Sequence, residues 1–273
     1  MFEALNDADA IVVGCGAGLS ASGGLNYGSK EVFNRMFPQF KSSGATGIYD
    51  HLTRFWNFNV EERRKYWAVW ATHIYTIRFK TPVLEPYKRL SKLLKNKNYF
   101  IINTNADGQL EKSGIDMSRV FSPQGDYKYL QCSTPCSNQI YEDEKIIQRM
   151  VENMPNPYTV REEDIPRCPV CGGYLVPNLR KDENFVELPH MKQEPFFSDF
   201  IRRNKNKKIV FLELGVGFNS PGVIRFPFEM MCFAYPQAKL IRVNTEYPEI
   251  PVELDGKGIS VSKDITEALS INS

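Results

Sequence analysis

With 273 residues, 42% of them hydrophobic, the chain is long enough for one large domain carrying a smaller insert, and its composition excludes the disordered classes. A formal net charge of +2 creates no field that draws in nucleic acid or a membrane surface, and the Lys205-Asn206-Lys207-Lys208 run reads as a solvated turn before a strand. Residues 1–10 contain Glu3, Asp7 and Asp9 without a basic leader, and no run nears the ~18 apolar residues of a membrane span. The expectation is a cytoplasmic protein with neither signal peptide nor bilayer helix.

In chain order, Ile11-Val12-Val13 is the apolar run of a buried strand, and Gly14, Gly16 and Gly18 follow at alternate positions. Such glycines let backbone turn tightly against a phosphate. The third glycine of the common dinucleotide pattern would fall at Leu19, which argues against an ordinary dehydrogenase. A phosphate cradle and a plain strand-to-helix turn both remain open from the glycines alone. Residues 20–28 and 44–47 have loop composition, and Phe33, Met36, Phe37 and Phe40 between them fit either a flap of aromatics over a ligand or a small satellite core. Residues 61–80 place Trp67, Trp70, His73, Ile74 and Ile77 at helical spacing behind Glu61 and Glu62, predicting a core helix in which His73 is packed.

A further helix is predicted over 84–94, then a second strand over 99–102 that runs into Asn103-Thr104-Asn105-Ala106-Asp107-Gly108. Ligands in open α/β sheets sit beyond the carboxyl ends of strands, so these amides and this carboxylate lie where chemistry belongs. An Asx-rich cap of the next helix explains the same composition by itself. Val120-Phe121 begins a third strand-to-loop edge, ending at Gln124-Gly125. Four of the six cysteines then form two short pairs, Cys132 with Cys136 and Cys168 with Cys171. In a reducing compartment this spacing points to a four-thiolate structural zinc site, ahead of a redox pair or four unrelated thiols. A closed thiolate shell holds structure and leaves no position for catalysis. Cys15 and Cys232 stand among apolar residues and read as small buried side chains. The polar, proline-bearing stretch around the four cysteines is too small to hold together without metal.

The main domain resumes with a strand over 209–214, a turn at Gly215-Val216-Gly217, and a helical stretch over 224–233 whose first regular turn Pro227 delays. A strand over 240–243 ends at Asn244-Thr245-Glu246, placed to hydrogen-bond a ribose. A strand over 259–262 and a short helix over 265–269 close the chain. Strands alternating with helices predict an α/β fold with a doubly wound parallel sheet.

As an ordered set, Gly16-Ala17-Gly18-Leu19-Ser20, Asn105-Ala106-Asp107, Gln124-Gly125, the two cysteine pairs, Gly215-Val216-Gly217 and Asn244-Thr245-Glu246 resemble the sirtuins over nearly the whole chain. The resemblance implies a Rossmann-type NAD domain over 1–125 and 177–273, with a helical or flap insert over about 28–80, and a zinc-ribbon insert over 126–176. It implies a reaction that breaks the bond between nicotinamide and ribose. By this similarity Gly16, Ala17, Gly18 and Ser20 meet the phosphates, Asn105 lies by the nicotinamide ribose, and Asp107 holds the carboxamide. Gly215, Val216, Asn219, Asn244 and Glu246 line the adenosine half.

The departures from the family pattern are as informative. Deacylating sirtuins carry a histidine where this chain has Gln124, and an amide cannot accept a proton near neutral pH as imidazole does. After Gly24 the acidic residue and arginine usual in the family are replaced by Leu25-Asn26-Tyr27, and the acyl-lysine edge reads Pro177-Asn178-Leu179-Arg180. The pattern is similar to the macrodomain-linked class M sirtuins. That branch implies protein ADP-ribosylation, with a lipoylated glycine-cleavage-H-like carrier as acceptor and a macrodomain hydrolase as functional partner. Loss of nicotinamide needs positioning and electrostatic stabilisation more than a base, and a carboxylate acceptor, with a reference pKa of about 4, is already ionised. Asn105 and Gln124 are expected to order the ribose, and Arg180 to orient an anionic acceptor or the ribose hydroxyls; a domain–domain salt bridge is the alternative for Arg180. A residual lysine deacylase and a non-catalytic NAD sensor are the competing functions.

Overall fold

The computed structural model describes residues 1–270. Among the described residues, nine strands run in chain order as β1 (Ala10–Cys15), β2 (Tyr99–Asn103), β3 (Val120–Phe121), β4 (Gly125–Cys132), β5 (Ile140–Glu142), β6 (Leu175–Leu179), β7 (Ile209–Leu214), β8 (Lys239–Val243) and β9 (Gly258–Val261). Six of them form one sheet in the order β3-β2-β1-β7-β8-β9, with every pairing parallel. This is the predicted doubly wound sheet. β1, β2 and β7 are buried throughout, as helices on both faces require of a central parallel strand.

Alternate residues of β1 and β7 feed opposite cores. Ile11, Val13, Val210 and Leu212 join Leu5, Leu90 and Ile265 on one face, whereas Val12, Ile209 and Phe211 join Ile201, Phe228 and Cys232 on the other. Helices Glu85–Leu94 and Ile265–Ala268 cover the first face, and Glu194–Asn204 and Arg225–Ala234 the second. Pro227 lies in the first turn of its helix, where the missing N–H has no intrahelical partner to lose, so the helix starts at Arg225 without delay.

The remaining strands form a small antiparallel sheet in the order β5-β4-β6. It shares one core with the segment between β1 and β2: Phe33, Trp67 and Trp70 belong to the same cluster as Leu130, Ile147, Met150, Val160 and Leu175. The inserted helices and the cysteine-bearing insert therefore pack as one body. Phe33, Phe37 and Phe40 are 0%, 2% and 1% exposed and belong to this core, as the core alternative expects. Helix Arg63–Ile74 runs on into the wider turn Tyr75–Lys80, and His73 is packed as its spacing predicts.

That core contains a liability in acid. His51 and His73 are 6% and 2% exposed among aromatic rings, and burial pulls the first down to about 4 and the second to about 3. Both are neutral in the folded protein, whereas the unfolded chain takes up protons near pH 6.5. Stability contributed by the neutral rings is complete above that value and is lost as pH falls through the window below it. By linkage the two cost about 3 to 4 kcal/mol at pH 5 relative to pH 7.5. Urea unfolding at the two pH values checks this, and His51→Phe is expected to remove roughly half of the difference.

Candidate active site

Strand order reverses between β1 and β7, and the turns that follow these strands meet backbone to backbone. The Gly18 N–H donates to the Gly215 carbonyl at 2.9 Å and the Gly16 N–H to the Leu214 carbonyl at 3.0 Å. A Cβ on Gly18 would lie 2.6 Å from the Gly215 Cα, and one on Gly16 would lie 2.7 Å from the Val216 Cα. Gly215 has φ +63°, where glycine carries no steric cost. Glycine at all three positions is a packing requirement, and it leaves Ala17 exposed at the tip.

Ser20 turns inward from this turn. Its hydroxyl donates to Asp107 Oδ2 at 2.5 Å and lies 2.7 Å from the Tyr87 hydroxyl. Tyr87 in turn accepts from Asn105 Nδ2 at 3.0 Å, and the same amide donates to the Gly16 carbonyl at 2.9 Å. Asn105 is thus clamped through its nitrogen, while its Oδ1 has no protein partner among the described residues. Asn103 shapes the loop locally, donating from Nδ2 to the Asn105 carbonyl at 2.7 Å and accepting the Asn105 N–H at 3.1 Å. Asp107 Oδ1 accepts the Gln109 N–H at 3.1 Å, an Asx turn, so the capping reading and the site reading of this loop are both realised. Burial pushes the Asp107 carboxyl above the ordinary carboxylate range, against the bonds from Ser20 and Gln109.

Gln124 is half-buried and its side-chain amide has no protein partner among the described residues, while its carbonyl accepts the Arg180 N–H at 3.0 Å. Gly125, at φ +92°, lets the Asn178 carbonyl into the space a Cβ would fill. On the next residue, Asp126 Oδ1 accepts from Arg78 Nε at 2.9 Å. Arg78 is 5% exposed, also pairs with Glu111, and packs its guanidinium where a Cβ on Gly108 would stand. One side chain from the turn after Arg63–Ile74 therefore fixes both the loop of Asp107 and the loop of Gln124.

The turns after β7 and β8 are joined in the same way. Val216 presents its carbonyl to Asn244 Nδ2 at 3.1 Å, and Asn244 Oδ1 accepts the N–H groups of Glu246 and Tyr247 at 2.9 and 3.2 Å. Arg225 bonds the Val216 and Tyr247 carbonyls at 3.4 and 3.3 Å and lies 4.4 Å from the Phe218 ring centre. Beneath it, Glu213 pairs with Arg242 through both oxygens at 2.8 and 3.1 Å, each residue 0% exposed. Asn219 and Glu246 remain exposed at the rim. Arg180 donates from Nε to the Pro123 carbonyl at 3.2 Å, pairs with Glu187 in its own segment, and sits 4.9 Å from the Phe185 ring centre.

Cys132, Cys136, Cys168 and Cys171 converge with all four sulfurs within 4.8 Å of one another. The Cys132–Cys171 and Cys136–Cys168 separations of 3.6 and 3.5 Å approach the ~3.8 Å edge of a tetrahedron with ~2.3 Å zinc–sulfur bonds. The donor set fits structural zinc.

The chain superposes on solved sirtuins, including Sir2Tm bound to a propionylated peptide (TM-score 0.55, 18% identity, 98% of this chain and 93% of that one). A Sir2 homologue mutant in complex with ADP-ribose gives TM-score 0.59 at 16% identity, covering 98% and 91%. At such identities the likeness establishes the fold. Over 272 residues the chain is 32% identical to a protein ADP-ribosyltransferase of Staphylococcus aureus, spanning 98% of this chain and 84% of the relative. The chain belongs to the sirtuin-type protein ADP-ribosyltransferases. A probable bifunctional ADP-ribose hydrolase/ADP-ribosyltransferase of Fusarium oxysporum is also 32% identical over 98% of this chain, which spans 46% of that longer relative. No family profile matches the sequence.

For this transferase, sequence reasoning missed Tyr87, Arg78 and Arg225, which hold the loops the motifs identify. Tyr87 and Arg78 carry no local signal, because their partners are far away in the chain. Glu213 did carry one: a single charge inside an apolar central strand, in register with Arg242 on β8. Two outcomes follow for the ADP-ribosyltransferase. Arg78→Met leaves Asp126 without its cation and lowers stability by about 2 kcal/mol in urea titrations, and Lys restores only part because it lacks the guanidinium fork. Purified protein carries zinc, and its loss in Cys168→Ser or on chelation lowers the thermal midpoint, checked by elemental analysis beside calorimetry.

Proposed function

We propose that this chain cleaves the nicotinamide–ribose bond of NAD and transfers the ADP-ribose to a carboxylate of a protein acceptor, a lipoylated glycine-cleavage-H-like carrier, in the cytoplasm. A macrodomain hydrolase is the matching eraser. The observation that carries the reading is the free Asn105 Oδ1 and the unpartnered Gln124 amide, on loops clamped by Tyr87 and Arg78, with no histidine bonded to either. None of the three histidines hydrogen-bonds Asn105, Asp107 or Gln124. His51 and His73 are buried in the helical core. His190 bonds Asn178 Oδ1 through Nε2 at 2.5 Å, and since both Asn178 Nδ2 hydrogens go to Gln131 and Val186, that nitrogen carries a proton and donates.

Bound NAD would supply the activated glycosidic bond: nicotinamide departs with the electron pair of the broken ribose carbon–nitrogen bond, and the acceptor carboxylate oxygen bonds to that same carbon. The chain's own part is placement. The Gly16–Gly18 turn, Ala17 and Ser20 receive the phosphates, the Ser20 hydroxyl being also engaged with Asp107 and Tyr87. Asp107 holds the carboxamide. Asn105 Oδ1 and the Gln124 amide order the ribose hydroxyls, and Gly215, Val216, Asn219, Asn244 and Glu246 line the adenosine side. Arg180 orients the anionic acceptor. An ionised carboxylate needs no proton removed, which suits a site holding amides in place of imidazole.

Intact-mass measurement of the carrier, with and without its lipoyl group, tests the proposal. The expected result is a gain of one ADP-ribose that depends on NAD and on the lipoyl group. Nicotinamide release without a mass gain, or cleavage of an acyl-lysine peptide, would overturn it in favour of a hydrolase or deacylase, and NAD binding without turnover in favour of a sensor. Gln124→Ala is expected to lower transfer about 10²-fold or more with an unchanged thermal midpoint, and full retained activity would remove Gln124 from the mechanism.

A further inference from the structure

We infer that Lys181 is a positioning residue for the acceptor side of this site, a cationic latch that fixes Arg180 against the inserted helices. The inference rests on the transferase reading for its catalytic consequence. Lys181 donates from Nζ to the Trp56 carbonyl at 2.7 Å, and the ammonium lies 5.5, 5.9 and 5.6 Å from the ring centres of Trp56, Tyr66 and Trp70. Three rings around one ammonium is the arrangement by which proteins hold cations on aromatic faces. The cage is rigid: Tyr66 and Trp70 are 2% and 0% exposed, and Trp70 Nε1 donates to the Phe55 carbonyl at 2.8 Å.

The adjoining residue binds the opposite wall. Arg180 donates its N–H to the Gln124 carbonyl at 3.0 Å and its Nε to the Pro123 carbonyl at 3.2 Å. One dipeptide therefore spans the gap between the helical core and the Gln124 loop. The chemistry of the cage argues that this lysine is kept for direction and not for stability. Burial in the rings pulls its ammonium down to about 8, so the charge is held at a cost that an unbranched apolar side chain would not incur. What the charge adds is a fixed end: an ammonium is drawn to the ring faces and the carbonyl together, whereas a thioether slides between rotamers. With the end fixed, the backbone at Arg180 cannot drift, and the guanidinium stays beside Pro123, Phe185 and Glu187.

The test compares full-length wild type, Lys181→Met and Lys181→Arg in two assays. Hydrogen exchange by mass spectrometry reads the segment 178–187 without any acceptor; Lys181→Met is expected to exchange there about tenfold faster while the Gly16–Gly18 turn is unchanged, and Lys181→Arg to stay near wild type. Steady-state transfer to the purified lipoylated carrier is expected to show a carrier KM raised about tenfold in Lys181→Met with kcat altered less than about twofold, and recovery in Lys181→Arg. The thermal midpoint of Lys181→Met is expected to equal or exceed that of wild type, which separates the effect from unfolding. Wild-type exchange in Lys181→Met, or an unchanged carrier KM where wild type transfers, would overturn the inference. If wild type leaves the carrier unmodified, the transferase reading fails on its own, and the exchange comparison still decides whether Lys181 is a latch.

Discussion

The contact on which the rest of this molecule depends is backbone against backbone, where the turn after β1 meets the turn after β7. Gly18 and Gly215 approach so closely that neither has room for a Cβ, and the Gly215 carbonyl accepts the Gly18 N–H. Strand order reverses there, and in open α/β sheets such a switch point is where the ligand crevice lies. Everything placed around that crevice is referred to the same contact. Asn105 takes its orientation from the Gly16 carbonyl, and Asn244 takes its own from the carbonyl of Val216.

Charge is distributed in two distinct ways. Below the crevice, Glu213, Arg242, Arg225 and Glu229 form a buried group of balanced sign whose bonds are satisfied among themselves and by backbone carbonyls. Such a group contributes little net stability, since desolvation offsets attraction, but it fixes the positions of the elements that carry it. At the site, Asn105 Oδ1 and the Gln124 amide have no protein partner among the described residues, the Asp107 carboxyl is engaged by Ser20 and Gln109, and Glu246 lies exposed at the rim. Amides offer hydrogen bonds in fixed directions and do not take up protons near neutral pH.

The inserted segments also depend on each other. Helix Arg63–Ile74 and the cysteine-bearing insert share one core, so the thiolate cluster and the aromatic helix support one body. β6 pairs with β4 on one side of that body and leads into Arg180 and Lys181, which reach back to the Gln124 loop and across to the tryptophans. The Arg180–Lys181 segment is in this way tied both to the cysteine-bearing insert and, through the loop after β3, to the parallel sheet.

Much of the fold was legible in the residues. Apolar runs ending in glycine marked the central strands, helical spacing marked the Trp67–Ile77 helix, and the two cysteine pairs marked a tetrahedral donor set, because each of these patterns is local and has a short-range physical cause. The aromatics at Phe33, Phe37 and Phe40 were ambiguous, since burial depends on what packs against them, and that is Val69, Ile48 and their neighbours from other parts of the chain. The motifs likewise located the loops of Asn105, Gln124 and Asn244 without indicating what holds them. Tyr87, Arg78, Arg225 and Lys181 each act on a partner at least 18 residues away, in the case of Lys181 125 residues away. Sequence by itself determined the strand-and-turn order of the parallel sheet, the donor set and the absence of a histidine at position 124. Only the tertiary structure decided which side chains clamp the site, because a hydrogen bond or an aromatic cage between distant residues leaves no period and no spacing along the chain.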